Sequence, residues 1–139
     1  MTRVLLDTNG ILDFLLDRAP FAEPAAALWQ ANEDGQIKAY VSVITPVNVF
    51  YIARKLQGAE IARRLVESLL IACQVCAPGR AALKQALALP LDDYEDAGQV
   101  VSAQAETLDA LVTRDPDDYK GASIPVFSPS GLLQQLASD

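Results

Sequence analysis

A short apolar run opens the chain. Arg3–Asp7 (RVLLD) has strand length and stops at an acid, which predicts a buried strand with Asp7 at its carboxyl end. Ile11, Leu12, Leu15 and Leu16 then recur at i, i+1, i+4 and i+5, so a helix follows at once. Phe21–Asn32 is Ala-rich, with Leu28 and Trp29 on its apolar side, and Asp34-Gly35 breaks this second helix. Ile37–Val43 (IKAYVSV) alternates and is rich in β-formers, a second strand.

Thr45-Pro46 carries a helix-start signal, Thr as N-cap and Pro at the first helical position. This helix takes in Val49, Phe50, Ile52 and Ala53, reaches Gln57 and stops at Gly58. Ala59–Ile71 is a further helix with Ile61, Leu65, Leu69 and Leu70 inward. Cys73–Ala77 is a third strand, closed by Pro78-Gly79, and Ala81–Leu89 a short helix. Asp92 or Asp93 caps the next helix, Tyr94–Glu106. Ala110–Thr113 (ALVT) is a fourth strand, followed by a polar loop, Arg114–Ser123. Pro125–Phe127 is an edge strand, and Ser128-Pro129 opens a last helix to Ala137. Strands separated by helices imply one α/β domain over residues 1–139, a three-layer α/β/α sandwich on a mainly parallel sheet of four or five strands.

Composition narrows the chemistry. With 139 residues, 51% hydrophobic and 21% charged, the chain can bury a core of its own. No apolar run approaches a membrane span, and MTRVLLDTNG meets Asp7 too early for a secretory h-region, so the expected location is cytoplasmic. The chain has no histidine. That excludes Ser-His-Asp and Cys-His machinery, an imidazole base and a His-ligated zinc. Eighteen acids against eleven bases give a net charge of −7, which excludes a uniformly basic nucleic-acid surface.

The acids fall where strands end. Asp7 ends the first strand, Asp115 closes the fourth, and Asp92, Asp93, Glu95 and Asp96 crowd the helix start between them. In an open α/β sheet these ends share one rim. Carboxylates gathered there repel one another; a hard divalent cation relieves that and supplies hydrolytic chemistry without histidine. Ordinary structural roles compete. Asp92 with Glu95, or Asp93 with Asp96, has capping-box spacing, Asn48 is at N3 of the helix capped by Thr45, and Asp115-Pro116-Asp117-Asp118 reads as a turn.

LLDTN at residues 5–9, SVITPVNVFYIARK at 42–55, DYEDAGQVVSA at 93–103 and LVTRDPDDY at 111–119, in this order and spacing, resemble a PIN domain over nearly the whole chain. The resemblance implies a Mg²⁺- or Mn²⁺-dependent endoribonuclease. It also implies the toxin role of VapBC-type modules, with RNA as substrate, a cognate antitoxin as partner and a homodimer as assembly. Carried over motif by motif, it makes Asp7, Asp96 and Asp115 the catalytic and metal-holding acids. Thr8, Asn9, Glu95 and Asp118 support them. The second motif departs: many PIN nucleases carry Glu where this chain has Asn48. An amide offers an oxygen without charge, which leaves open a catalytically weak RNA-binding module. A phosphoaspartate phosphatase or receiver is a further alternative; the first wants an acid where Asn9 stands, the second one near Ala77-Pro78.

Among basic residues, Arg54, Lys55, Arg114 and Lys120 are the candidates for RNA phosphate contact. Tyr119 is a candidate for base stacking, while Tyr51 is expected to pack. Cys73 and Cys76 lack partners for a zinc site and read as core, as do Trp29, Phe21 and Leu28, the latter three in the core or an interface.

Overall fold

The computed structural model describes residues 2–138. Its strands are β1 (Thr2–Leu6), β2 (Ile37–Ser42), β3 (Gln74–Cys76), β4 (Ala110–Val112) and β5 (Val126–Phe127). The helices are α1 (Thr8–Leu15), α2 (Ala22–Glu33), α3 (Ile44–Gln57), α4 (Ala59–Ala72), α5 (Arg80–Leu87), α6 (Tyr94–Ala105) and α7 (Pro129–Ser138). A 3-10 turn spans Pro116–Tyr119 inside the loop after β4.

All strand pairs are parallel, in the order β3-β2-β1-β4-β5. Central strands of such a sheet are covered on both faces, so their residues are apolar on both. Val4, Leu6, Ala39, Val41 and Val112 face one layer, where Ile11, Trp29, Val49, Leu69 and Leu132 bring α1, α2, α3, α4 and α7. Leu5, Tyr40, Cys76 and Leu111 face the other, where Val100 and Ala103 of α6 pack. Ala86 of α5 closes on Ala97 and Val101 behind it. This is the expected three-layer sandwich.

The strand order also fixes where a site belongs. The chain moves from β1 outward to β2 and β3, then returns to β4 on the other side of β1. The crevice beyond the carboxyl ends of β1 and β4 is therefore the topological switch point, where ligands of open α/β sheets bind. A receiver of the flavodoxin-like order 2-1-3-4-5 is excluded by this topology.

Several local expectations are corrected. Helix α3 starts at Ile44 after Val43, with no side-chain cap. Thr45 is completely buried within the first turn and its hydroxyl meets Thr8, so tertiary burial overrides its capping preference. Pro46 fits there because first-turn N–H groups have no intrahelical partner. Ile61 and Leu70 are exposed, since α4 docks along Ala62, Val66 and Leu69 instead. Tyr51 is exposed too, its ring edge-on to Phe50. Leu28 and Trp29 are core, Trp29 stacked on Phe14, whereas Phe21 is partly exposed under the Arg114 guanidinium.

Cys73 and Cys76 are both buried, as expected of core residues. Cys73 caps α4 and joins one face of the sheet; Cys76, in β3, joins the other. Burial pushes their thiols up to about 12 and about 11, so neither supplies thiolate.

Candidate functional site

Asp7 follows β1 directly and is the N-cap of α1. Its Oδ1 accepts from the Gly10 amide at 2.8 Å, its Oδ2 from the Thr113 hydroxyl at 2.7 Å. A Cβ on Gly10 would stand 3.1 Å from that Oδ1, so the close turn favours glycine. Only 7% of Asp7 is exposed. Burial raises its pKa; the two hydrogen bonds oppose that, and the charges of Asp13 and Asp115 add to it.

Asp96 comes from the first turn of α6. Asp93 caps that helix by accepting from the Asp96 amide at 3.0 Å, which leaves the Asp96 carboxyl free for the crevice. Its Oδ1 accepts from the Tyr119 hydroxyl at 3.1 Å. Asp96 is pushed up to about 6, first by burial and then by repulsion from Asp93, Asp118 and Asp7, against the lowering effect of the Tyr119 bond. Tyr119 is itself raised, by burial and by the Asp7 and Asp96 carboxylates, and stays a hydrogen-bond donor. It is buried, so the expectation that it stacks on bases gives way to one of holding Asp96.

Asp115 opens the 3-10 turn without a side-chain cap. Its carboxylate is half-exposed, 3.7 Å from the Arg114 Nε, and its amide donates to the Thr113 hydroxyl at 3.1 Å. One hydroxyl thus joins the Asp7 carboxylate to the Asp115 backbone. Asp118 is exposed and lines, with Asp92, Asp93, Asp96, Asp117 and Lys120, a cleft of about 460 Å³.

A second group adjoins the first. Asn48 does not cap α3; its amide donates to Glu95 Oε1 at 3.0 Å. The Thr8 hydroxyl reaches the same oxygen at 3.5 Å and lies 3.1 Å from the Thr45 hydroxyl. Gln99 Nε2 approaches Thr45 at 3.5 Å, while its buried Oε1 has no partner among the described residues.

Other candidates lie apart. Asn9 turns outward, its carbonyl accepting from Arg18 at 3.3 Å. Arg54 and Lys55 occupy the last turn of α3; at 1.5 Å per residue Arg54 is about 15 Å along the axis from the rim. Lys120 is exposed beside Asp117 at 3.9 Å. Arg114 lies over the Phe21 ring and meets buried Asp13 at 3.2 Å.

Sequence reasoning missed Asp13, Thr45, Gln99 and Thr113. Gln99 carried a signal, standing three and four residues after Asp96 and Glu95 on one helix face. Thr113 adjoins the Arg-Asp that follows β4. Asp13 stands inside an apolar helix with no motif around it to single it out.

Neither Asp7 nor Asp96 has an ion-pair partner among the described residues. Two uncompensated carboxylates and neighbouring hydroxyls make an oxygen-only donor set that suits a hard cation. No three acids or cysteines among the described residues stand at metal-holding distance.

A family profile described as PIN domain matches residues 3–117. No curated protein matches the sequence. Among solved structures, the fold is similar to that of DNA-bound VapBC from Salmonella typhimurium, with TM-score 0.72 and 22% identity over 93% of this chain and 99% of that one. A toxin-antitoxin complex from Klebsiella pneumoniae gives 0.68 and 24%, covering 91% and 97%. The sarcin-ricin-loop-cleaving toxin VapC20 of Mycobacterium tuberculosis gives 0.63 and 13%, covering 78% and 86%.

Proposed function

The chain belongs to the PIN-domain family, and on that premise we propose that it is a divalent-cation-dependent endoribonuclease, the toxin of a toxin–antitoxin pair. The observation that carries the reading is the uncompensated Asp7–Asp96 pair at the switch point, each carboxylate held by a dedicated hydroxyl. Mg²⁺ is usually held by one or two carboxylates and several waters, so the residues present fit Mg²⁺ or Mn²⁺. The cation, when bound, supplies an activated water and offsets charge on the phosphoryl oxygens.

The side chains then divide the work. Asp7 and Asp96 hold the cation, and Thr113 and Tyr119 fix their rotamers. Asp115, half-exposed on the loop after β4, orients the attacking water and takes its proton. Glu95 and Asn48 border the strand, with Thr8 behind them, and Asp118 keeps the cleft acidic. Lys120 at the cleft edge and the exposed side of Arg114 contact phosphate. Arg54 and Lys55 reach RNA only farther along the strand.

A second copy covers the apolar surface left by α3 and α4, where Val47, Tyr51, Leu56 and Ile71 are exposed. Light scattering at micromolar concentration tests it, twice the chain mass being expected and the single mass counting against it. The similarity to toxin–antitoxin structures supports a protein antitoxin partner. No helix among the described residues is long and apolar enough to cross a membrane.

The test is cleavage of single-stranded RNA with and without Mn²⁺. Wild type cuts only with the metal, and Asp7→Asn or Asp96→Asn loses at least two orders of magnitude in rate. Asn48 motivates a second reading, an RNA-binding module of low turnover. Metal-saturated wild type that binds RNA and leaves it intact selects that reading.

A further inference from the structure

The first turn of α6 is a ridge between two clefts of opposite character. Asp96 faces the acid cleft on one side. On the other, an open cleft of about 530 Å³ runs between α3 and the α5–α6 pair, with Val43, Ile44, Leu83 and Tyr94 as apolar walls and Asn48 and Glu95 as its polar edge. The Tyr94 ring is half-exposed, and its hydroxyl donates to the Leu83 carbonyl at 3.0 Å, which pins it. Asn48 and Glu95 are joined through one oxygen, so Glu95 Oε2 and Asn48 Oδ1 accept nothing from the described residues.

Gly98 lines the same cleft in the interior of α6. Glycine is the least favourable helix-interior residue after proline. Nothing in the packing requires it, because a Cβ at Gly98 meets no atom within 4 Å. The missing side chain leaves the cleft open.

We propose that this cleft is a subsite for one unpaired nucleobase of the RNA, seated against Tyr94 over Gly98 and read at its polar edge by Asn48 and Glu95. The proposal rests on the ribonuclease reading and adds to it the element that selects sequence. Phosphate and base of one nucleotide then straddle the ridge, phosphate toward the acids and base toward the aromatic wall. An apolar cleft with an aromatic wall is what single-stranded nucleic acid uses for stacking. The two open acceptors call for adjacent N–H donors, which the N1–H and 2-amino group of guanine present best.

The test needs no turnover. The ¹⁵N-labelled protein is titrated with guanosine 5′-monophosphate and, separately, with ribose 5-phosphate. Shifts at Asn48, Tyr94 and Gly98 are expected with the first and absent with the second. Gly98→Leu fills the cleft while favouring the helix, and unchanged far-ultraviolet circular dichroism checks its fold. It is expected to weaken guanosine monophosphate by roughly 5- to 150-fold, the range of one base stacked on an aromatic. Equal responses to the two probes, or equal nucleotide affinity of the variant, overturn the proposal. So do cleft shifts that follow protein concentration, which give the cleft to a second copy. Shifts with a Leu- and Arg-rich peptide but not with the nucleotide give it to a protein partner and also overturn it. Failure of the nuclease reading is distinct: wild-type RNA then stays intact with Mn²⁺ whatever the nucleotide does.

Discussion

The Thr113 hydroxyl donates to Asp7 Oδ2 at 2.7 Å, bridging the ends of two adjacent parallel strands, β4 and β1. The bond is short and its acceptor is charged, the stronger class of hydrogen bond. It lowers the pKa of a carboxylate that burial raises.

Thr113→Val keeps the shape and removes that donor. A hydrogen bond to a charged group contributes about 1.5–3 kcal/mol, so the ionised form of Asp7 loses about that much. Mn²⁺ affinity at neutral pH is expected to fall about tenfold or more by calorimetric titration, while Thr113→Ser retains it. Equal affinity of the Val variant and wild type would show that Asp7 does not hold the ion.

Asp96 gives the pH dependence its sign. Its folded pKa, about 6, lies above the ordinary aspartate value of 3.8. The native state therefore binds the proton more tightly than the unfolded chain. The stability this contributes is complete below about pH 4 and lost as pH rises through 6. In metal-free buffer Asp96→Asn is expected to melt higher than wild type at pH 7.5, with the gain fading toward pH 4. Added Mn²⁺ reverses the order at pH 7.5 by stabilising wild type alone. Melting curves across that range check both signs.

Asn48 joins α3 to α6 through Glu95 at 3.0 Å. Glutamate at position 48 sets a second carboxylate against the first and cannot form a capping box, because Thr45 does not cap. Asn48→Glu is expected to lower the melting temperature in chelator by several degrees and recover it with Mn²⁺, through relief of like-charge repulsion. If the variant is destabilised equally with and without Mn²⁺, position 48 lies outside the reach of the cation.

Much of this was legible in the chain. The apolar runs at 3–7, 37–43 and 110–113 located the central strands because a parallel sheet buries both faces and leaves a near-continuous apolar signal. The place of Asp7 at the end of β1 was legible from the apolar run before it, whereas Asp96 was singled out by the resemblance of its segment. What failed was decided by tertiary contact. Thr45 bears a capping signature that burial overrules, and Ile61 and Leu70 fit a helical stripe that α4 does not use. Tyr119 and Asp96 stand 23 residues apart, and no local period announces such a bond. Arg114, read as a phosphate contact, is partly engaged by an acid 101 residues away.

That acid is Asp13, whose side chain is 2% exposed and whose Oδ1 meets both Arg18 at 2.9 Å and Arg114 at 3.2 Å. Arg18 also donates to the Asn9 carbonyl, so the cluster ties α1 and the turn that follows it to the loop after β4. Removing one partner of a buried ion pair leaves uncompensated charge and costs about 3–5 kcal/mol. Asp13→Ala leaves two partly exposed guanidiniums that keep the Asn9 carbonyl and Asp115 as partners, so the loss expected by urea denaturation lies at or below the lower end of that range. Arg114→Met leaves Asp13 paired with Arg18 and keeps an apolar contact on Phe21, so its cost is expected to be well under half as large. Because Arg114 adjoins Asp115, the Met variant also frees the loop that carries that acid, and RNA cleavage is expected to fall more than stability does. Equal destabilisation by Asp13→Ala and Arg114→Met would mean that Arg18 does not compensate Asp13 and that the cluster is a single pair.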